Sequence, residues 1–155
     1  MGRRDELRAI DLALQQIMRI SQGRRAAQLR SSRAGLDLSR PGVAILAALN
    51  AHGPLRTTRL AERADTEPAV VSRELRVLTA QGYVATSSDP ADHRARVVSL
   101  TDTGRDAFGR YRTAIDAIIA ETFSGWTTSE LETLRASLVR VADDFARPRA
   151  GPPPA

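Results

Sequence analysis

The sequence predicts a mainly α-helical chain carrying one small β-hairpin. Apolar residues recur at three- and four-residue spacings through most of its length, the period of a helix face, and a single pair of short β-prone runs flanks a polar connection. Composition agrees, with 42% hydrophobic residues but only 4% aromatic. At 155 residues the chain is long enough to bury one core and too short for two independent ones. The expected organisation is an N-terminal helical region over 1–35, a central region over 36–103, C-terminal helices over 104–146, and a Pro/Gly-rich tail over 147–155 expected to be disordered.

The first helix is expected between Asp5 and Arg30, where Leu7, Ile10, Leu14, Ile17 and Ile20 form one stripe. At about 1.5 Å per residue it would run roughly 40 Å, more than a small domain needs, so something is expected to pack along it. Gly23 marks a bend or an end inside that pattern. Ser39 followed by Pro41 predicts the start of a second helix bearing Val43, Ile45, Leu46 and Leu49, which Gly53-Pro54 ends. Thr57 is expected to cap a short third helix running to about Ala64, with Asp65-Thr66 as the turn after it.

Pro68 suits the first turn of a fourth helix over about 67–81, in which Val71, Leu75 and Leu78 share a face and Gly82 closes the helix. Tyr83–Thr86 and Val97–Leu100 are the β-prone runs, giving a hairpin over about 83–100. Thr101 is expected to cap a fifth helix with Ala107, Phe108, Tyr111, Ile115 and Ile118 on its apolar face. Thr127 and Glu130 have capping-box spacing, with Trp126 and Leu131 as a hydrophobic staple, and open a sixth helix carrying Leu134, Leu138, Val141 and Phe145.

Charge narrows the class of partner. All 23 basic residues are arginine, against 18 acidic ones, for a net charge of +5 and a pI near 11.0. A polyanionic partner fits that balance, and so does a solvated arginine-rich surface. The excess is uneven: residues 1–40 hold nine arginines against four acids, while 41–100 hold seven against six. Contacts in the central region must therefore depend on where individual arginines point. The absence of cysteine excludes disulfides, thiolate metal sites and thiol-based sensing. With no apolar run after the N-terminus and none approaching the ~18 residues of a membrane span, a cytoplasmic, non-membrane protein is expected.

The third and fourth helices, joined by a three- or four-residue turn, have the form of a helix-turn-helix. The outer face of the fourth presents Ala69, Ser72, Arg73 and Arg76, small and basic residues near a helix start, shaped for a major groove, and Pro68 at that start is counted with them among the DNA-binding residues. An ordinary helical hairpin with solvated arginines is the bland alternative. The hairpin that follows carries His93, Arg94 and Arg96, and an arginine on a ribbon can enter a minor groove. Arg73 and Arg76 are read as base-edge or phosphate contacts, Arg59 as a further basic contact, and Ser72 and Thr57 as phosphate-positioning hydroxyls or helix caps. Together these make a winged helix-turn-helix with double-stranded DNA as its expected partner.

The order and spacing of Leu60-Ala61-Glu62-Arg63, Val71-Ser72-Arg73, Leu78, Gly82-Tyr83-Val84, then Asp89, Asp92 and Arg94, then Val98, Leu100, Thr101 and Gly104 resemble the MarR-type transcription regulators of bacteria. The resemblance implies a homodimer formed by the first, fifth and sixth helices flanking the winged region. It also implies DNA binding at a pseudo-palindromic operator, most often as a repressor, and release by a small aromatic or phenolic effector seated between the dimer helices and the winged domain. A winged-helix module that binds protein instead of DNA is the alternative.

No catalytic residue, cofactor or metal is expected. Asp89, Asp92 and His93 could in principle ligate a cation, but an exposed hairpin tip offers no pocket, and turn chemistry explains them more simply. His52 suits a helix C-terminus, and Asp143 and Asp144 point about 100° apart on a helix. His93 stands where the resembling family usually has the first of two wing arginines. DNA affinity is therefore predicted to rise as pH falls through about 6.5, as the imidazole gains charge. A binding series from pH 5.5 to 8 checks this, and a flat response contradicts it.

Overall fold

A computed structural model describes residues 2–92 and 94–147. Seven helices and a small sheet follow one another as α1 (Arg3–Gln22), α2 (Arg24–Ala34), α3 (Arg40–His52), β1 (Leu55–Arg56), α4 (Thr57–Arg63), α5 (Pro68–Ala80), β2 (Val84–Ser88), β3 (Arg96–Leu100), α6 (Asp102–Thr122) and α7 (Thr128–Ala146). The mainly α architecture with a hairpin wing is as expected. None of the described helices is long and apolar enough to cross a membrane. The expectation of a disordered tail falls on 148–155, outside the described residues apart from Arg147.

Two differences from the sequence reading stand out. The first helix is two: Gly23 adopts an extended ψ of 156°, which ends α1 and serves as N-cap for α2. The sheet has three strands in the order β1-β3-β2, all antiparallel, because the chain leaving Gly53-Pro54 pairs Leu55 with Val98 and Arg56 with Val97 before entering α4. The hairpin register, Val84 opposite Leu100 through Ser88 opposite Arg96, extends the expected strands toward the tip.

The chain divides into two units after Ala117. The core of the first unites α3, α4, α5, the sheet and the first half of α6. Ile45, Leu46, Leu60, Val71, Leu78 and Val98 are its largest fully buried side chains, with Ala107, Phe108, Tyr111 and Ala114 from α6 joining them. Burial of each such aliphatic side chain contributes about 1.5–3 kcal/mol, which makes this cluster the main force holding the helix pair to the wing. By contrast, α1 buries nothing: Leu7, Ile10, Ile17 and Ile20 are all more than half exposed. In the second unit α7 likewise buries nothing, with Leu138 and Phe145 exposed.

Helix ends follow local chemistry. The Ser39 hydroxyl accepts from Gly42 N at 3.0 Å, and the capping box at α7 closes both ways, with Glu130 accepting from Thr127 N at 2.7 Å. Trp126 sets its ring edge-on to Phe123, with centroids 5.4 Å apart. Gly82 takes a φ of 74° after α5, which lets Tyr83 N reach the Leu78 carbonyl at 2.9 Å and turns the chain into β2. Thr101 caps α6 by accepting from Gly104 N at 2.9 Å and donates to the Gly82 carbonyl at 2.6 Å, so one hydroxyl joins the end of α5 to the start of α6.

Gly104 lies directly against the Tyr83 backbone, and a Cβ there would collide with the Tyr83 carbonyl. Gly104→Ala is predicted to lower stability by about 3 kcal/mol, because backbone cannot yield as a side-chain tip can. The shift in denaturation midpoint measures it, and an unchanged midpoint contradicts the packing described.

Candidate nucleic-acid interface

The helix pair is built around a tight turn. Asp65 adopts a left-handed φ of 47°, a conformation that aspartate tolerates better than most residues, and Thr66 N reaches back to the Ala61 carbonyl at 3.0 Å. Glu67 then caps α5 from an extended conformation and Pro68 occupies the first turn, where no amide partner is needed. Val71 and Leu78, two turns apart, are the buried residues of α5. Helical geometry sends the opposite face outward, and Ala69, Ser72, Arg73 and Arg76 are all exposed there, with Pro68 exposed at the helix start. Two guanidinium groups stand beside two small side chains on that face, a cationic surface on an element that a major groove admits.

Two residues singled out from sequence take other positions. Thr57 does not cap α4: Arg56 is the N-cap, and Thr57, the first helical residue, turns its hydroxyl to the Arg96 carbonyl at 3.4 Å. A two-residue strand running directly into the helix leaves no room for Thr57 in the extended conformation a cap requires. Arg59 is exposed and pairs with Glu62 one turn along at 2.9 Å. Such a surface pair is worth little and yields readily to a stronger anion.

The wing is held near its tip, where β2 ends, by an ion pair that sequence reasoning missed. Arg56 Nε donates to Asp89 at 2.6 Å, linking β1 to the far end of β2, and Asp89 is the buried acidic side chain of the described residues. Asp89 also accepts from Ala91 N at 2.7 Å, and Asp92 accepts from Arg94 N at 3.1 Å, so the turn-chemistry reading of both aspartates is what the structure contains. The bond from Arg56, and after it the Ala91 amide, hold the Asp89 carboxyl below the usual carboxylate range, while the same bond pushes the Arg56 guanidinium further up. No local pattern could have disclosed the pair, since its members lie 33 positions apart. Arg94, in the connecting loop, and Arg96, at the start of β3, are exposed beside this pair. His93 lies outside the described residues. Among those residues, no three acidic or histidine side chains gather as metal ligands.

A basic reading helix, a turn and an arginine-bearing wing thus converge in one unit, and comparison with known proteins matches that unit directly. Residues 36–95 fit the model of the MarR family. Over that segment the chain is similar to the MarR family. The HTH-type transcriptional repressor MdtR of Bacillus subtilis (strain 168) is 31% identical over 87 residues, 56% of this chain and 56% of that protein. A MarR family transcriptional regulator from Silicibacter pomeroyi has a solved structure with a TM-score of 0.62 at 29% identity, covering 86% of this chain and 90% of that one. The structure of BpsR from Bordetella bronchiseptica, whose DNA binding is regulated by 6-hydroxynicotinic acid, gives a TM-score of 0.57 at 25% identity over 71% of this chain and 80% of that one. The matches span 46% to 64% of the length of the curated relatives.

The depressed acidity of Asp89 sets the direction of the wing's pH response. The pairing favours the folded wing above the carboxyl's unfolded value of about 3.9 and is lost as pH falls through the lower folded value. Neutral conditions therefore leave the latch closed, whereas Asp89→Asn weakens it at neutral pH and changes little once the carboxyl is protonated. Amide exchange in β2 and β3 is predicted to accelerate in Asp89→Asn at pH 7 with the helices little affected. Equal protection in both proteins would contradict a latch role.

Proposed function

We propose that this chain is a sequence-specific, double-stranded DNA-binding transcription regulator that works in the cytoplasm as a homodimeric repressor released by a small-molecule effector. The observation that carries the reading is the outer face of α5, where Ala69, Ser72, Arg73 and Arg76 stand exposed opposite the buried pair Val71 and Leu78. In this reading Arg73 and Arg76 meet guanine O6 and N7 or nearby phosphates, Pro68 and Ala69 allow close approach, and Ser72, Thr57 and Arg59 position phosphates. Arg94, Arg96 and His93 serve the minor groove from the wing.

The exposed leucines and isoleucines of α1 and the exposed apolar residues of α7 support homodimerisation, since such faces are covered in stable proteins. A two-fold dimer reads half-sites about 10 base pairs apart. For the effector, a groove of about 950 Å³ runs between the end of α2 and α6, lined by Arg33, Arg105 and Arg110 with Asp106 among them. The excess of arginine over acid suits an anionic aromatic acid, the chemical class of the compound that regulates BpsR. Such an effector acts only through its preference for one arrangement of the reading helices, and about 100-fold release needs about 2.7 kcal/mol of coupling.

Selection from random duplex DNA, followed by affinity measurements over a salt series, tests the reading. A pseudo-palindrome is expected to emerge, with Arg73→Ala costing about 1–3 kcal/mol on it and Arg94→Ala weakening binding as well. Absent or salt-insensitive binding would favour a protein-binding winged module, in which the same arginines meet acidic side chains.

A further inference from the structure

The inner side of α5 is tied to the rest of its unit by a polar clasp as well as by its apolar stripe. Ser39 Oγ donates to Glu74 Oε2 at 2.6 Å while accepting from Gly42 N at 3.0 Å, so a single hydroxyl caps α3 and grips α5. Two turns further along α5, Gln81 Nε2 donates to the Asp37 carbonyl at 3.1 Å. Leu78, buried between these two polar ties, lies against Gly42, where any Cβ would come within 3.1 Å of Ser39 Oγ and 3.4 Å of Glu74 Oε2. Residues 74, 78 and 81 thus dock on the segment 37–42 at the spacing of one helix face.

Glu74 is the acidic residue in a helix whose outward charges are Arg73 and Arg76, its near neighbours in sequence. A free carboxylate at that position would stand close to a phosphate backbone and weaken binding; one engaged with Ser39 is held on the inner side of the helix. The apolar contacts of Val71 and Leu78 tolerate a small slide or roll of the helix, because they have no direction. A short hydrogen bond to a charged group is directional and resists both motions.

We propose that Glu74 is a positioning residue for DNA reading: gripped by Ser39, it sets the axial position and roll of α5 and so the aim of Arg73 and Arg76. The proposal rests on the reading of α5 as the recognition helix. Its test uses substitutions that separate aim from stability. Ser39→Asp keeps a side chain able to cap α3 but removes the donor and sets a carboxylate against Glu74; Glu74→Gln added to it supplies an amide that can donate to the new carboxylate. Glu74→Ala leaves the Ser39 cap untouched.

The readout is the ratio of affinity for a selected site to affinity for a scrambled duplex, taken beside the thermal midpoint. Ser39→Asp and Glu74→Ala are each expected to lower that ratio about tenfold or more while weak, salt-dependent binding to scrambled DNA persists. The double variant is expected to recover most of the loss. An unchanged ratio in Glu74→Ala, or a ratio that follows the thermal midpoint with no recovery in the double variant, would overturn the proposal and leave the DNA-binding reading standing. A wild-type chain that selects no site would overturn both.

Discussion

The arrangement depends on how little of α5 is buried. Val71 and Leu78, fully buried, and Leu75, partly buried between them, dock the helix, and because they lie on one stripe they hold its opposite face outward. A broader apolar stripe would have stabilised the unit further but buried the positions now held by Ser72, Arg73 and Arg76. The helix is therefore a compromise between anchoring and display. Ties from outside the helix offset the weakness of the anchor: Ser39 at Glu74, Asp37 at Gln81, and the Gly82 turn locked by Thr101.

The same logic extends to the wing. A two-stranded hairpin is marginal alone, and here β1 adds a third strand while the Arg56–Asp89 pair ties the tip end of β2 back to β1. Both devices come from the short segment between α3 and α4, so the wing and the start of the helix-turn-helix move as one piece. That matters for a region with almost balanced charge. Seven arginines against six acids over residues 41–100 create no strong diffuse field, and attraction to a polyanion must come from a few guanidinium groups held in place. Rigidity supplies what net charge does not.

Much of this fold was legible in the chain because its signals are local. Ser39, Pro68, Gly82, Thr101 and the Thr127/Glu130 box each announce a helix end through chemistry within three or four residues, and the spacing of Val71, Leu75 and Leu78 identifies the inner face of α5. What stayed hidden is non-local or too short for a period. The strand Leu55–Arg56 has only two residues, and its existence follows from pairing with Val97 and Val98 some forty positions away. That same strand displaced Thr57 from the expected cap position. Asp89 read as a turn residue, and it is one, but its partner Arg56 could not be named without the fold. Glu74 carried no signal of its own, for nothing near it in sequence points to the hydroxyl of Ser39.

The central claim is that the outer face of α5 enters a major groove, once for each protomer of a two-fold dimer. Protection of guanine N7 from methylation, mapped base by base on a selected duplex, tests it most directly, because N7 is exposed only in the major groove. The account predicts two protected clusters about 10 base pairs apart, both lost in Arg73→Ala. Bound DNA with every N7 left reactive would contradict it, since the protein would then be holding the backbone without reading the groove.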